Sequence, residues 1–200
     1  MTGPGKREQA KAARRAELLA AAAELMAQRG FAAVRLEDIG ARAGVSGPAV
    51  YRHFDGKSDL LEALLVEISE RLLTGGREVA ARPDDPRDVL SALVAFHIEV
   101  LVSRPDVIIV HDRDLASLPD DANRRVRSLQ RQYVELWVQV LLRVAGRGGE
   151  SQITEDEARV RVHAGFGLLN SSSRLPAFDA RLLRVLLTEM VLAALLVKSD

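Results

Sequence analysis

Cysteine is absent from this 200-residue chain, which excludes disulfides, cysteine-ligated zinc and thiol catalysis. No segment reaches the roughly 20 apolar residues of a membrane-spanning helix, and the basic N-terminus lacks the apolar core of a secretory signal. A cytoplasmic protein with no membrane partner is therefore expected. Prolines number only seven and β-branched runs are few, while Ala, Leu, Arg and Glu abound, a composition that points to an all-α fold. Net charge is missing as well, since 28 Lys and Arg face 28 Asp and Glu.

What the chain does have is unevenly placed. Apolar residues make up 48% and charged residues 28%, enough to build a packed core and too polar for a membrane protein. Residues 1–60 hold ten Lys/Arg against seven Asp/Glu, and the remainder holds 18 against 21. Near the start, Lys6, Arg7, Lys11, Arg14 and Arg15 face one acid, Glu8. Charges act over roughly 10 Å at ordinary salt, so this local excess can meet phosphates although the total is zero. Arg14 and Arg15 are the candidates; a solvated, frayed tail is the plainer alternative.

Residues 9–28 read as a first helix, with Leu18, Leu19, Ala22, Leu25 and Met26 at the spacing of a buried stripe and Gly30 as the stop. A second, short helix opens over Val34–Ile39, with Leu36, Ile39 and Ala43 inward. Gly44-Val45-Ser46 breaks it: glycine tolerates the positive φ of a helix C-cap, and serine can cap the next helix. A third helix is expected from Gly47 to about Phe54, with Pro48 in its first turn and Val50 and Phe54 facing the core. Two short helices joined by a tight turn form a helix-turn-helix, whose second helix enters the DNA major groove. Ser46, Gly47 and Pro48 stand at the end that dips toward bases, where backbone N–H groups also favour phosphate. Tyr51 and His53 lie off the core face, Arg52 could contact DNA or form a surface ion pair, and Arg35 and Lys57 flank the pair as phosphate clamps.

The stretch from about Arg14 to Leu64 resembles the N-terminal DNA-binding domain of the TetR family of transcriptional regulators. Carrying the resemblance are Gly30-Phe31 after the first helix, Ala43-Gly44-Val45-Ser46, the Tyr51-x-x-Phe54 pattern and Lys57 at the start of a fourth helix. Gly40 departs from the family's usual alanine, and Gly47-Pro48-Ala49 replaces a run of small or polar residues. With so few base-reading side chains there, backbone contact and DNA shape should carry unusual weight. The resemblance implies a helix-turn-helix domain over 1–56 and an effector-binding, dimerisation domain over 57–200, about nine helices in all. It also implies a homodimer on a near-palindromic double-stranded operator, a small-molecule effector and no cofactor.

Beyond the motif the chain reads as a helical bundle. A fourth helix should span 57–79, and after it comes a linker in which Asp85 caps and Pro86 opens a helix over 86–103. Further helices are expected at 105–116, 120–145, 154–172 and 179–197, with a loop at 147–151 and Pro176 separating the last two. Phe96, His97, Val100, Tyr133, Trp137 and Phe166 are large side chains on the helices that enclose the effector cavity in the family. Such residues are more often plain core, but His97, Arg113, His163 and Asn170 would be costly in a dry core without partners. A mostly apolar cavity with a few polar anchors suits a hydrophobic small molecule, and Gly167→Trp should fill it. The stretch from His111 to Trp137 resembles TetR-type regulators found beside fatty-acid and acyl-CoA genes in high-GC bacteria.

The last helix is apolar almost all round and needs a second surface to cover it. Leu183, Leu187, Met190, Val191 and Ala194 are the expected dimer contacts, with Leu187→Glu as the variant to break them. The four histidines, His53, His97, His111 and His163, show no ligand spacing, so no metal is expected. Gly165-Phe166-Gly167 sits inside a helical pattern and is no phosphate loop, and no nucleophile or carboxylate pair marks an enzyme. The reading is a ligand-responsive DNA-binding repressor, with the fourth helix as the lever between sensor and DNA. Its rivals are a DNA-binding dimer without a sensor and an enzyme.

Overall fold

A computed structural model describes residues 5–147, 153–175 and 179–197, and among them every regular element is helical. The first, α1 (Lys6–Arg29), ends where Gly30 turns to φ +85° and donates its N–H to the Met26 carbonyl. It begins earlier than its apolar stripe implies, so Lys6, Arg7 and Lys11 lie on its opening turns. Next come α2 (Leu36–Arg42) and α3 (Gly47–Val50), with Gly44 at φ +70° between them. The expected third helix is cut to one turn. Beyond Val50 the chain continues to Phe54 in tight turns, closed by Arg52 N–H to Ala49 and His53 N–H to Val50. Ser46 precedes α3 with extended backbone, but its hydroxyl makes no capping hydrogen bond there, contrary to expectation.

Two long helices dominate the remainder of the chain. α4 (Lys57–Ala80) buries Leu60, Leu61, Leu64 and Leu65 at one end and Ile68, Leu73 and Val79 toward the other, so one rod serves both halves. α5 (Pro86–Ser103) starts as anticipated, with the Asp85 carboxylate accepting from Arg87 N–H at 2.9 Å. α6 (Pro105–Asp114) is shorter than its sequence spacing implies and passes into a 3-10 turn over Leu115–Ser117. The second long helix, α7 (Asp120–Arg147), completes the bundle with α8 (Glu155–Ser171) and α9 (Ala180–Leu195), these last two capped by Thr154 and Asp179. Most of the loop expected at 147–151, and Pro176, lie outside the described residues.

The packing makes a head and a body that share one apolar core. α1, α2, α3 and the start of α4 form the head; α4, α5, α7, α8 and α9 pack on one another as the body. α6 belongs by sequence to the body yet rests chiefly on α1. Two adjacent glycines on α4 let the bundle close tightly. A Cβ at Gly75 would collide with the Phe96 ring, and one at Gly76 with Tyr133.

Candidate functional site

At the tip of the head, α2 and α3 leave a patch in which Arg35, Ser46, Pro48, Tyr51 and Arg52 are exposed, Tyr51 by 54%. Val50 and Phe54 are buried beneath it, which is why Tyr51 and Arg52 between them must face out. Gly47 and His53 are half-buried, and the His53 Nδ1 is enclosed with no hydrogen-bond partner. Only part of His53 is thus available at this surface. Arg35 uses its backbone N–H to bind the Asp38 carboxylate at 3.2 Å, which fixes the start of α2.

The remaining basic candidates are tied into the head itself. Arg14 pairs with Glu17 at 2.6 Å and reaches the Ala43 carbonyl at 3.4 Å. Arg15 lies 5.0 Å over the Phe54 ring and 4.0 Å from the Glu67 carboxylate. Lys57 donates to the Ala32 carbonyl at 3.1 Å and sits 4.5 Å over the Phe31 ring. Each therefore braces the segments around the motif: Arg14 holds the turn after α2, and Lys57 holds the turn after α1.

In the body, a cavity of about 250 Å³ opens between α4, α5, α6, α7 and α8. Ile68, Ser69 and Leu72 of α4 form one wall, with Ile108 and His111 of α6 beside them. His97, Gln130, Tyr133, Val134, His163, Phe166 and Asn170 close the rest. Inside, His97 Nδ1 lies 3.2 Å from the Tyr133 hydroxyl, and Gln130 Nε2 donates to His111 Nε2 at 2.7 Å. Burial pushes the His97 pKa down to about 4, against a hydrogen bond to Asn170 that raises it, so the ring is neutral at physiological pH. Burial likewise lowers His111, with the Asp112 carboxylate opposing, and it raises the Tyr133 phenol. The rings of His97, Tyr133 and Phe166 stack at 5.2–5.7 Å and Trp137 meets each of them edge-on at 5.0–6.0 Å.

Of the residues expected to line this cavity, the structure brings together His97, Tyr133, His163, Phe166 and Asn170. Four others lie elsewhere. Phe96 fills the notch above Gly75, Val100 is buried core, and Trp137 is enclosed behind the aromatic cluster. Arg113 turns away to the head, where Nη1 donates to the Ala27 carbonyl at 3.1 Å and Nη2 to that of Met26. Asp114, itself buried, holds the guanidinium at 2.9 Å. Gly167 is exposed, with no atom within 4 Å of where a Cβ would stand, so Gly167→Trp would not fill the cavity. Sequence reasoning misses Ile68 and Leu72, which merge into the apolar stripe of α4, and it reads His111 as a core or pocket histidine without naming it among the lining residues. The signal for the first two is their i, i+4 spacing on the α4 face opposite His97. No group of His, Asp and Glu suited to a metal occurs among the described residues.

α9 also differs from expectation. Leu187 and Val191 are buried within the protomer, with Val191 close against Gly165 of α8, while Leu183 and Ala194 are half-buried. The exposed apolar face keeps Met190 of the expected contacts and otherwise consists of Leu182, Val185 and Leu186, with Val160 exposed on α8. Glutamate at Leu187 would consequently disrupt the protomer's own core before it affected any partner.

A helix-turn-helix head is joined by one long helix to a helical body that encloses a cavity. The chain belongs to the TetR family of bacterial regulatory proteins. The profile for that family's N-terminal region matches residues 18–64, and the tetracycline repressor-like C-terminal domain profile matches residues 83–174. The HTH-type transcriptional repressor KstR2 of Rhodococcus jostii is 33% identical over 134 residues, 66% of this chain and 65% of that protein. The HTH-type transcriptional activator FasR of Mycolicibacterium smegmatis is 40% identical over 81 residues, 40% of this chain and 37% of its own length. The chain thus aligns with less than two thirds of either relative. A crystal structure of a TetR-family regulator from Bordetella parapertussis shares the fold, with a TM-score of 0.80 at 21% identity, covering 92% of this chain and 94% of the other. These relatives are transcriptional regulators and not enzymes. Among the described residues, no helix is long and apolar enough to cross a membrane.

Proposed function

We propose that this chain is a ligand-responsive, DNA-binding transcriptional repressor that acts in the cytoplasm as a homodimer. Residues 1–56 would be its DNA-reading head and 57–200 its sensor and dimerisation body. The carrying observation is that α6 contributes Ile108 and His111 to the cavity and, two residues on, sends Arg113 to the end of α1. A molecule that displaces α6 therefore acts on the head through α1 as well as through α4. The exposed tip, from Arg35 and Ser46 to Tyr51 and Arg52, is the surface offered to the major groove, with His53, Arg14, Arg15 and Lys57 fixing its pose. Gly47 and Pro48 bring backbone and ring edge close to the bases. An apolar ligand would favour one setting of the body, and its differential affinity sets how far operator binding falls, typically about 5–150-fold.

One experiment covers the reading. Sequences selected from genomic DNA should include a near-palindrome whose half-sites lie about one DNA turn apart, roughly 34–36 Å. Tyr51→Ala should weaken binding to it. Met190→Glu should give folded monomers with poor operator affinity, because that residue is 52% exposed on the apolar face of α9. Absence of any selected sequence would end the DNA-binding reading, and a Met190→Glu protein sedimenting as a normal dimer would move the interface elsewhere.

A further inference from the structure

The chemistry of the cavity wall specifies what can occupy it. Seven of its twelve lining residues are polar, yet among the described residues none is Lys, Arg, Asp or Glu. The polar groups that reach inside are neutral: His97 and His111 by burial, and Gln130, Tyr133 and Asn170 by nature. His163 stands at the exposed rim, outside the enclosed part of the wall. Neighbouring guanidinium groups are engaged away from the space. Arg113 grips α1, Arg125 pairs with Glu70 at 2.7 Å, and Arg77 binds the Gln132 side chain at 2.9 Å.

We infer that the effector enters with an uncharged, oxygen-bearing end, such as a ketone, ester, thioester or alcohol on a hydrocarbon skeleton, and that a free carboxylate is rejected. The inference rests on reading the cavity as the sensor site. A buried carboxylate without a cation costs several kcal/mol in desolvation, and this wall offers none to offset it. A neutral oxygen needs only a donor or an acceptor, and His97, His111, Gln130 and Asn170 can supply either. The volume, just under the roughly 300–1,000 Å³ of drug-sized sites, selects a small or partly inserted molecule. Among fatty molecules, the wall therefore separates the ester or thioester from the free acid.

The test uses a pair with the same number of carbon and oxygen atoms that differs in charge, methyl octanoate and nonanoate, on the full chain near neutral pH. Trp137 is the sole tryptophan and touches the aromatic cluster behind the wall, so its emission reports occupancy. Methyl octanoate should bind at least about 10-fold more tightly than nonanoate, a difference of roughly 1.4 kcal/mol. Val134→Phe should weaken the ester by filling the space, and Gln130→Arg should raise nonanoate affinity by a similar factor. Equal or tighter nonanoate binding to the wild type overturns the charge selection and leaves the sensor reading standing. Ester binding that Val134→Phe does not change overturns the assignment to this cavity. No response to either compound, in Trp137 emission or melting temperature, overturns both this inference and the sensor reading.

Discussion

In the head, a methyl group added at Gly40 would stand 3.0 Å from the Val45 carbonyl and 3.2 Å from the Val50 side chain, whereas the body keeps about 250 Å³ unfilled between five helices. Both regions are built from the same kinds of residue, and both draw on a common core. Their difference lies in whether side chains meet. Around α2 and α3 small residues let backbones come within contact distance, and Arg14, Arg15 and Lys57 bind the surrounding turns. Such tight packing suits a surface that must match DNA. In the body, stacked rings and neutral hydrogen bonds hold the walls of the cavity apart. A region with unfilled volume has more than one way to pack, and that is the physical requirement for a sensor.

This contrast is tested most severely by truncating both regions. Ile39→Ala, in the dense head, should cost about 2–5 kcal/mol of unfolding free energy, because nothing nearby can collapse into the space. Leu72→Ala, half-buried on the cavity wall, should cost less than half as much in the same denaturant titration. Equal losses would mean that the head relaxes as readily as the body.

A second effect, nearly as large, belongs to the body alone. His97 has a pKa of about 4 when folded and an ordinary value of 6.5 when unfolded. The unfolded chain thus binds the extra proton first as pH falls, so this stability is fully present above 6.5 and is lost between 6.5 and 4. The loss should approach about 3 kcal/mol at the acid end. His97→Gln should flatten that part of the stability-versus-pH curve; an unchanged slope would show that the ring is not held neutral.

Where head and body meet, the expected effects shrink. Arg113→Gln removes guanidinium hydrogen bonds at a half-exposed site, worth about 1 kcal/mol. Amide exchange over residues 26–33 should accelerate by a factor of roughly 5, with α3 unaffected. Unchanged exchange there would dismiss the contact as idle. Smallest of all is Gly40→Ala. Its gain in helix propensity of about 1 kcal/mol should be largely cancelled by crowding at the Val45 carbonyl. Melting should then barely move while operator affinity falls, because the turn before α3 is displaced.

What is legible in the sequence divides along the same line. Helical periodicity locates α1, α4, α5 and α7 closely, since each buries a continuous stripe, and Asp85-Pro86 and Gly30 mark ends by local rules. α3 reads too long because Val50 and Phe54 satisfy helical spacing even though turns connect them. In the cavity, residue type identifies the aromatic and histidine members, but periodicity does not say whether a side chain meets a neighbour or a void. Phe96 and His97 are adjacent, and only the notch at Gly75 sends the first into packing. Leu187 and Met190 differ likewise: both are apolar positions of one helix, and only the placement of α5 and α8 decides which is covered.

The grip of Arg113 on α1 has one further consequence. Its acceptors, the carbonyl oxygens of Met26 and Ala27, are main-chain atoms that any residue supplies. The contact therefore depends on where the helix ends and not on which side chains the head carries. A head of altered operator preference, grafted at Gly30 with the length of α1 kept, would present the same two oxygens to the same guanidinium. Body and head can in this way diverge, or be exchanged between proteins, without altering the contact that joins them.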